Sequence, residues 1–156
     1  MFRKMRRFKQ ELTKEECIRV LKNEPRGVLS VYGEDGYPYA FPMNYIYMND
    51  KLYFHCAKTG HKIDAVSADS RVSFCVMDKG FRKEGDWALN INSIIVFGNI
   101  KRMAHSEEAV EILRQLGLKY FPTAKDVEEA IRKSAAGVQI LELSIDHMTG
   151  KLVNES

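Results

Sequence analysis

The stretch that decides the fold is Tyr45-Ile46-Tyr47-Met48-Asn49-Asp50-Lys51-Leu52-Tyr53-Phe54-His55-Cys56-Ala57-Lys58-Thr59-Gly60-His61-Lys62-Ile63-Asp64. Asn49-Asp50 is a polar pair between two apolar, aromatic-rich runs, the signature of a tight turn between strands. From Lys51 to Ala57 the side chains alternate. Leu52, Phe54 and Cys56 take one face, and Tyr53, His55 and Ala57 the other. Lys58-Thr59-Gly60 ends the alternation, and His61 and Lys62 open a short helix that ends near Ser67. The first turn of a helix carries unpaired N–H groups and partial positive charge, so it favours anions. Here Lys58, His61 and Lys62 crowd that turn, with Asp64 alone of opposite sign. Two readings follow: the cations point into water, or they and the helix start hold a phosphate.

Toward the N-terminus, Gly33-Glu34-Asp35-Gly36 is a hairpin turn between a strand at 27–32 and a longer one at 37–48. The longer strand holds Pro38 and Pro42, which cannot donate to a ladder. Pro42 is therefore expected to open the ladder or mark an edge, and strand backbone freed there suits a planar polar ligand. Thr13-Lys14-Glu15-Glu16 is a capping box with Leu12 and Cys17 as a hydrophobic staple. Residues 1–10 form a basic, solvated lead-in. Toward the C-terminus, strands are expected at 71–78 and 92–103. The second is apolar on both faces through Ile94, Ile95, Val96 and Phe97, so it is central in a barrel or covered by a partner subunit. Gly98 marks a close backbone approach. Trp87 is the one large residue of a charged loop at 79–90, as its anchor or as a cover over a neighbouring subunit. Helices capped by Ser106 and starting at Thr123, a last strand at 138–147 and a polar tail at 149–156 complete the chain.

These elements predict a single domain, mainly β (α+β): a six-stranded antiparallel split β-barrel with short flanking helices. The 156 residues are 45% apolar, ample for one core, and no apolar run approaches the ~20 residues of a membrane span. A cytoplasmic protein is expected. The net charge of +3 is too weak to argue for nucleic acid. Cys17, Cys56 and Cys75 lack metal-site spacing and fit buried, reduced thiols. Neither GxGxxG nor a Walker loop is present.

Gly36-Tyr37-Pro38-Tyr39, Pro42-Met43-Asn44-Tyr45, Leu52-Tyr53-Phe54-His55-Cys56-Ala57 and Gly60-His61-Lys62-Ile63-Asp64 together resemble the pyridoxamine 5′-phosphate oxidase-like flavin-binding split barrels. Within them they resemble the Nim-type, 5-nitroimidazole-resistance branch, as do residues 1–7 and Ser93 to Gly98. The resemblance is good over residues 1–103 and holds only in general layout beyond. It implies a homodimer with FMN, or FAD in some relatives, in a groove between subunits. By position, Met43, Asn44 and Tyr45 would line the flavin ring, and His55, Cys56 and Ala57 would pass its polar edge. Lys58, His61 and Lys62 would meet the phosphate, and Ser93 and Ile94 would contribute at the subunit boundary. His61 would also stand near the reacting centre, as the candidate catalytic residue. The arginine-rich substrate grip of the pyridoxamine oxidases is missing, which argues against their reaction.

The expected function is flavin-dependent reduction of nitroimidazole-like or other small nitro or aromatic compounds, with no nucleic-acid or membrane partner. The alternative is a non-catalytic flavin or haem module. In it His55 or His61 would be an axial ligand, with His105 and His147 far off in sequence. RNA binding through the basic N-terminus ranks last.

Overall fold

The computed structural model describes residues 1–154. Its seven strands form one antiparallel sheet, β1 (Arg26–Tyr32), β2 (Pro38–Asn44), β3 (Ile46–Met48), β4 (Lys51–Ala57), β5 (Arg71–Met77), β6 (Asn90–Arg102) and β7 (Val138–Asn154). They run in the order β2-β1-β5-β6-β7-β4-β3. The helices are α1 (Lys14–Asn23), α2 (His61–Ala68), α3 (Glu107–Tyr120) and α4 (Ala124–Ser134). The sheet curls into a half-barrel. Leu29, Met43, Phe54, Phe74, Ile94 and Leu143 fill its inside, and α1 and α2 close it with Leu21 and Ile63. A smaller apolar cluster of Tyr53, Ala109, Ile112 and Ile140 lies under α3. Among the described residues no helix is long and apolar enough to cross a membrane.

Local signals behave as expected. Asn49 and Asp50 both have positive φ (54° and 56°), the conformation of a two-residue hairpin turn. The Thr13 amide donates to Glu16 Oε2 at 2.8 Å, and the Glu16 amide donates to Thr13 Oγ1 at 3.2 Å, completing the capping box.

The count is seven strands, not six, because the expected strand at 37–48 breaks. The break is not at Pro42, which stays paired opposite Val28, but at Tyr45. The Tyr45 amide donates to the Tyr120 hydroxyl at 2.9 Å, and the Tyr45 carbonyl accepts from Lys119 Nζ at 3.0 Å. Lys119 also sits 3.9 Å from the centre of the Tyr45 ring, and burial draws its ammonium down to about 8. The backbone freed at the break is therefore consumed by the end of α3; Pro42 does not open the ladder but marks an edge, since β2 is the end strand of the sheet. Tyr45 links the two ends of the sheet, so the barrel stays split.

The polar tail is also corrected. Its described part continues β7 to Asn154, paired with β6 as far as Asn90; Glu155 and Ser156 lie outside the described residues. The N-terminal lead-in is not wholly solvated, since Phe2 stacks on His147 at 4.6 Å. Trp87 is exposed rather than an anchor. Its loop is held instead by Asp78, which accepts from the Gly80 and Asn92 amides, and by the Phe81–Asn90 bridge. Cys17 is buried and Cys56 half-buried, but Cys75 is exposed on the outer sheet face.

One buried charge ties β4, β6 and β7 together. Glu142 accepts from Lys51 at 3.0 Å and Lys101 at 3.1 Å, and from the Tyr53 hydroxyl at 3.3 Å. Burial pushes its carboxyl up, but the two lysines pull harder, and the net shift is downward. A carboxyl depressed in the folded state stabilises fully above its ordinary value of 4.5, and that contribution is lost as pH falls through the folded value. Urea melts between pH 3 and 7 should therefore show stability falling at the acid end, with a shallower slope in Glu142→Gln. An unchanged slope in that variant would assign the acid loss to other carboxylates.

Candidate functional site

The split places two strand edges opposite one another. β2 has a strand neighbour on one side only, β1. Beyond Tyr53, β4 pairs with β7 alone. Each edge therefore offers backbone N–H and C=O groups with no ladder partner, a suitable frame for the polar rim of a flat ligand.

Helix α2 lies at the end of this gap. Its N-cap is Gly60, at φ +122° with no side-chain cap, and a Cβ there would meet nothing within 4 Å. Only glycine holds this backbone cheaply, and the first-turn amides are left without a capping side chain. The His61 ring stacks on Tyr39 at 4.1 Å and 9°. Lys62 turns inward: its Nζ lies 4.7 Å from the centre of the Phe41 ring and 3.7 Å from Met43 Sδ. No carboxylate pairs with Lys62 among the described residues, and a half-buried lysine against apolar neighbours is costly without a counter-charge.

A third cation comes from the end of β6. Arg102 donates from Nε to Gln139 Oε1 at 3.2 Å and from Nη2 to the Lys58 carbonyl at 3.4 Å. Lys62 and Arg102 both lie close enough to Cys56 to bear on its charge. Burial raises the Cys56 thiol, and the two cations offset part of that rise. The thiol therefore stays protonated and suits packing better than nucleophilic attack.

Among the sequence candidates, Met43, Cys56, Lys58, His61 and Lys62 gather around the gap. Asn44 and Ala57 end the two facing strands. Tyr45 is drawn inward: it is fully buried, edge-on to Phe74 at 4.9 Å, and its hydroxyl has no hydrogen-bond partner among the described residues. The His55 imidazole lines a cavity of about 120 Å³ under α3 and α4, away from the gap. Burial lowers its pKa. Ile94 is inside the core, whereas Ser93 lies on the outer face beside Met77. His55 and His61 thus share no site, and among the described residues no group of metal-ligating side chains assembles.

A cavity of about 580 Å³ lies elsewhere, between Phe2, Tyr32, Tyr37 and Phe97. Its one cation, Arg71, is already held by Asp69 at 2.6 Å. Anion-binding capacity sits at the α2 gap. A phosphate-bearing flavin fits the donor set there: uncapped helix amides, a half-buried unpaired lysine and two free strand edges.

The family model described as pyridoxamine 5′-phosphate oxidase matches residues 13–152. The chain belongs to this family. The match runs through the C-terminal third, further than the motifs alone carried the resemblance. No curated protein sequence matches the chain. Among solved structures, a candidate 5-nitroimidazole antibiotic resistance protein of Bacteroides thetaiotaomicron is similar at 20% identity and TM-score 0.76, covering 92% of this chain and 87% of that one. A FAD-binding protein of Mesorhizobium loti is similar at 23% identity and TM-score 0.67, over 92% and 96%. A FAD- and haem-binding protein of Mycobacterium smegmatis gives 19% identity and TM-score 0.67, over 94% and 74%. At these identities the likeness is one of fold. Within this pyridoxamine 5′-phosphate oxidase family member, sequence reasoning missed Tyr39, Phe41, Arg102 and Gln139. Tyr39 and Phe41 carried a usable signal, because with Met43 they take one face of the strand. Arg102 and Gln139 carried none, since only the β4–β7 and β6–β7 pairings bring them beside Lys58.

Proposed function

We propose that the chain binds a flavin phosphate in the gap between β2 and β4, as a homodimer, and serves as a reductase of nitroimidazole-like or other small nitroaromatic compounds. The single observation that carries the reading is Lys62, half-buried on Phe41 and Met43 with no carboxylate partner among the described residues. A phosphate at the α2 start supplies the missing counter-charge and accepts from the first-turn amides. The flavin-binding relatives on the same fold support the reading, and the Bacteroides protein favours the nitroimidazole branch.

A bound flavin supplies the electrons. The protein's share is binding, orientation and proton supply. Free backbone groups of β2 and β4 orient the polar rim, Lys62 and Lys58 hold the phosphate, and the His61 imidazole, fixed by Tyr39, is placed to give a proton to a reduced substrate.

The partner subunit answers a second observation. Val28, Met77, Ile95 and Phe97 are exposed on one face of the sheet, and Val28, Cys75 and Ile95 stand in direct cross-strand register. A contiguous apolar face of this kind marks an interface. FMN titrated into the purified protein should saturate at one per subunit, and light scattering should give twice the 17.9 kDa chain mass. Ile95→Lys should shift the protein to monomer. Absence of binding at micromolar FMN would end the flavin reading, and a monomeric wild type would end the dimer.

A further inference from the structure

We infer that Trp87 of each subunit docks in an aromatic groove of the other, between Tyr32, Tyr37 and Phe97. This rests on the dimer reading above and extends it to a named residue and its seat. The β5–β6 loop displays the ring on a fixed mount. Arg82 Nε donates to the Trp87 carbonyl at 3.0 Å, Asp86 Oδ1 accepts from the Ala88 amide at 3.0 Å, and Ala88 is fully buried. The backbone around Trp87 is thus pinned, yet the residue is 72% exposed. Pre-ordering of this kind lowers the cost of binding, and tryptophan is among the residues enriched at interface hot spots.

Three observations assign the seat. The first is shape. The groove holds about 580 Å³, and its aromatic walls, Phe2, Tyr32, Tyr37 and Phe97, are all exposed. That is room for an indole and part of its loop, among rings that suit it edge-on or stacked. The second is charge. The turn at the groove's rim carries Glu34 and Asp35, and Asp146 lines the groove, accepting from Asn99 Nδ2 at 2.6 Å. Arg71 there is already neutralised by Asp69. Around Trp87, Lys79, Arg82 and Lys83 outnumber Glu84 and Asp86. Among the described residues, none of those three lysines and arginines pairs with a carboxylate, and none of the three groove carboxylates pairs with a cation. The third is place. The groove touches residues 71–73 and 97–99, whereas the loop leaves β5 at Met77 and enters β6 at Asn90. The apolar row of Val28, Cys75 and Ile95 lies between them. At about 3.4 Å per residue, Asn99 is roughly 14 Å from Ile95 on one side and Asn90 roughly 17 Å on the other. A two-fold axis crossing the strands at that row lays each loop on the other subunit's groove, the reciprocity a self-complementary interface needs. An axis along the strands would set basic loop on basic loop and acidic rim on acidic rim, which charge disfavours.

The test reads the chain's single tryptophan. Acrylamide quenching and light scattering are followed together as the purified protein is diluted from dimer to monomer. Quenching should be weak in the dimer and rise several-fold in step with dissociation, a readout that needs no variant. Trp87→Ala should weaken dimerisation by roughly 10- to 100-fold, the size of a hot-spot truncation. Ser73 lines the groove and is half-buried, so Ser73→Phe occupies the seat. A dimer of that variant, held at high concentration by the Val28–Ile95 face, should leave Trp87 open to the quencher. A wild-type dimer with Trp87 freely quenched, or dimerisation untouched by Trp87→Ala, would overturn the inference and leave the dimer reading intact. Protection that persists in Ser73→Phe would do the same, by seating the ring elsewhere. A wild type that is monomeric at every concentration would overturn the dimer reading itself, and the inference with it.

Discussion

Lys62→Ala should weaken FMN binding by roughly 10- to 100-fold and leave riboflavin nearly unchanged. The size follows from the bond removed: a hydrogen bond to a charged group contributes about 1.5–3 kcal/mol, and every 1.4 kcal/mol is about tenfold in affinity. The selectivity follows from position. Nζ lies among Phe41, Met43 and the α2 start, where a phosphate has a use for it and a ribityl hydroxyl has little. The stem also packs against Phe41, so truncation to Ala removes apolar contact as well as charge. Lys62→Met separates the two, since it keeps the stem and loses only the ammonium. If the charge is what matters, Met and Ala lose FMN affinity alike. Equal loss of riboflavin and FMN would remove the phosphate from this site.

Gly98→Ala should destabilise the fold by about 3 kcal/mol, at the upper end of overpacking costs. A Cβ at Gly98 would stand 2.1 Å from the Ser144 carbonyl oxygen and 2.8 Å from Leu143 Cδ2. The first obstacle is backbone and cannot rotate away. The site is also where the β6–β7 register jumps, Phe97 facing His147 and Gly98 facing Ile145. Asp146 is thereby left out of the ladder, as in a β-bulge. These two strands make the sheet's longest pairing, so relief by shifting one of them strains the centre of the half-barrel. For a domain of this size the melting temperature should fall by roughly 6–12 °C. A shift under about 1 °C would show that the bulge opens at little cost.

Legibility in the sequence followed the range of the interactions. The hairpin at Asn49-Asp50, the Thr13 capping box, the strand alternation through Leu52 and Phe54 and the uncapped basic start of α2 are set within a few residues, and all were readable. So was Gly98, because glycine in an otherwise β-branched run has few other uses. The break at Tyr45 was misplaced to Pro42 because its cause lies in Lys119 and Tyr120, 74 and 75 residues away. Pro42 itself is harmless on an edge strand, where the missing donor is not needed. The strand through Thr149 to Asn154 was hidden by polar residues that β6 tolerates on its outer side. Trp87 suggested an anchor by size, yet the loop is held by Asp78 and Asn90, whose hydrogen bonds composition does not announce. Within the candidate site, the residues on the strand–helix motif were visible, and Arg102 and Gln139 were not.

The most direct measurement is a crystal structure of the protein grown with FMN. The phosphate should lie within hydrogen-bond distance of Lys62 Nζ and the first amides of α2, with the ring along the free edges of β2 and β4. A flavin seated instead in the groove between Phe2, Tyr32 and Tyr37, with only solvent at the α2 start, would contradict it.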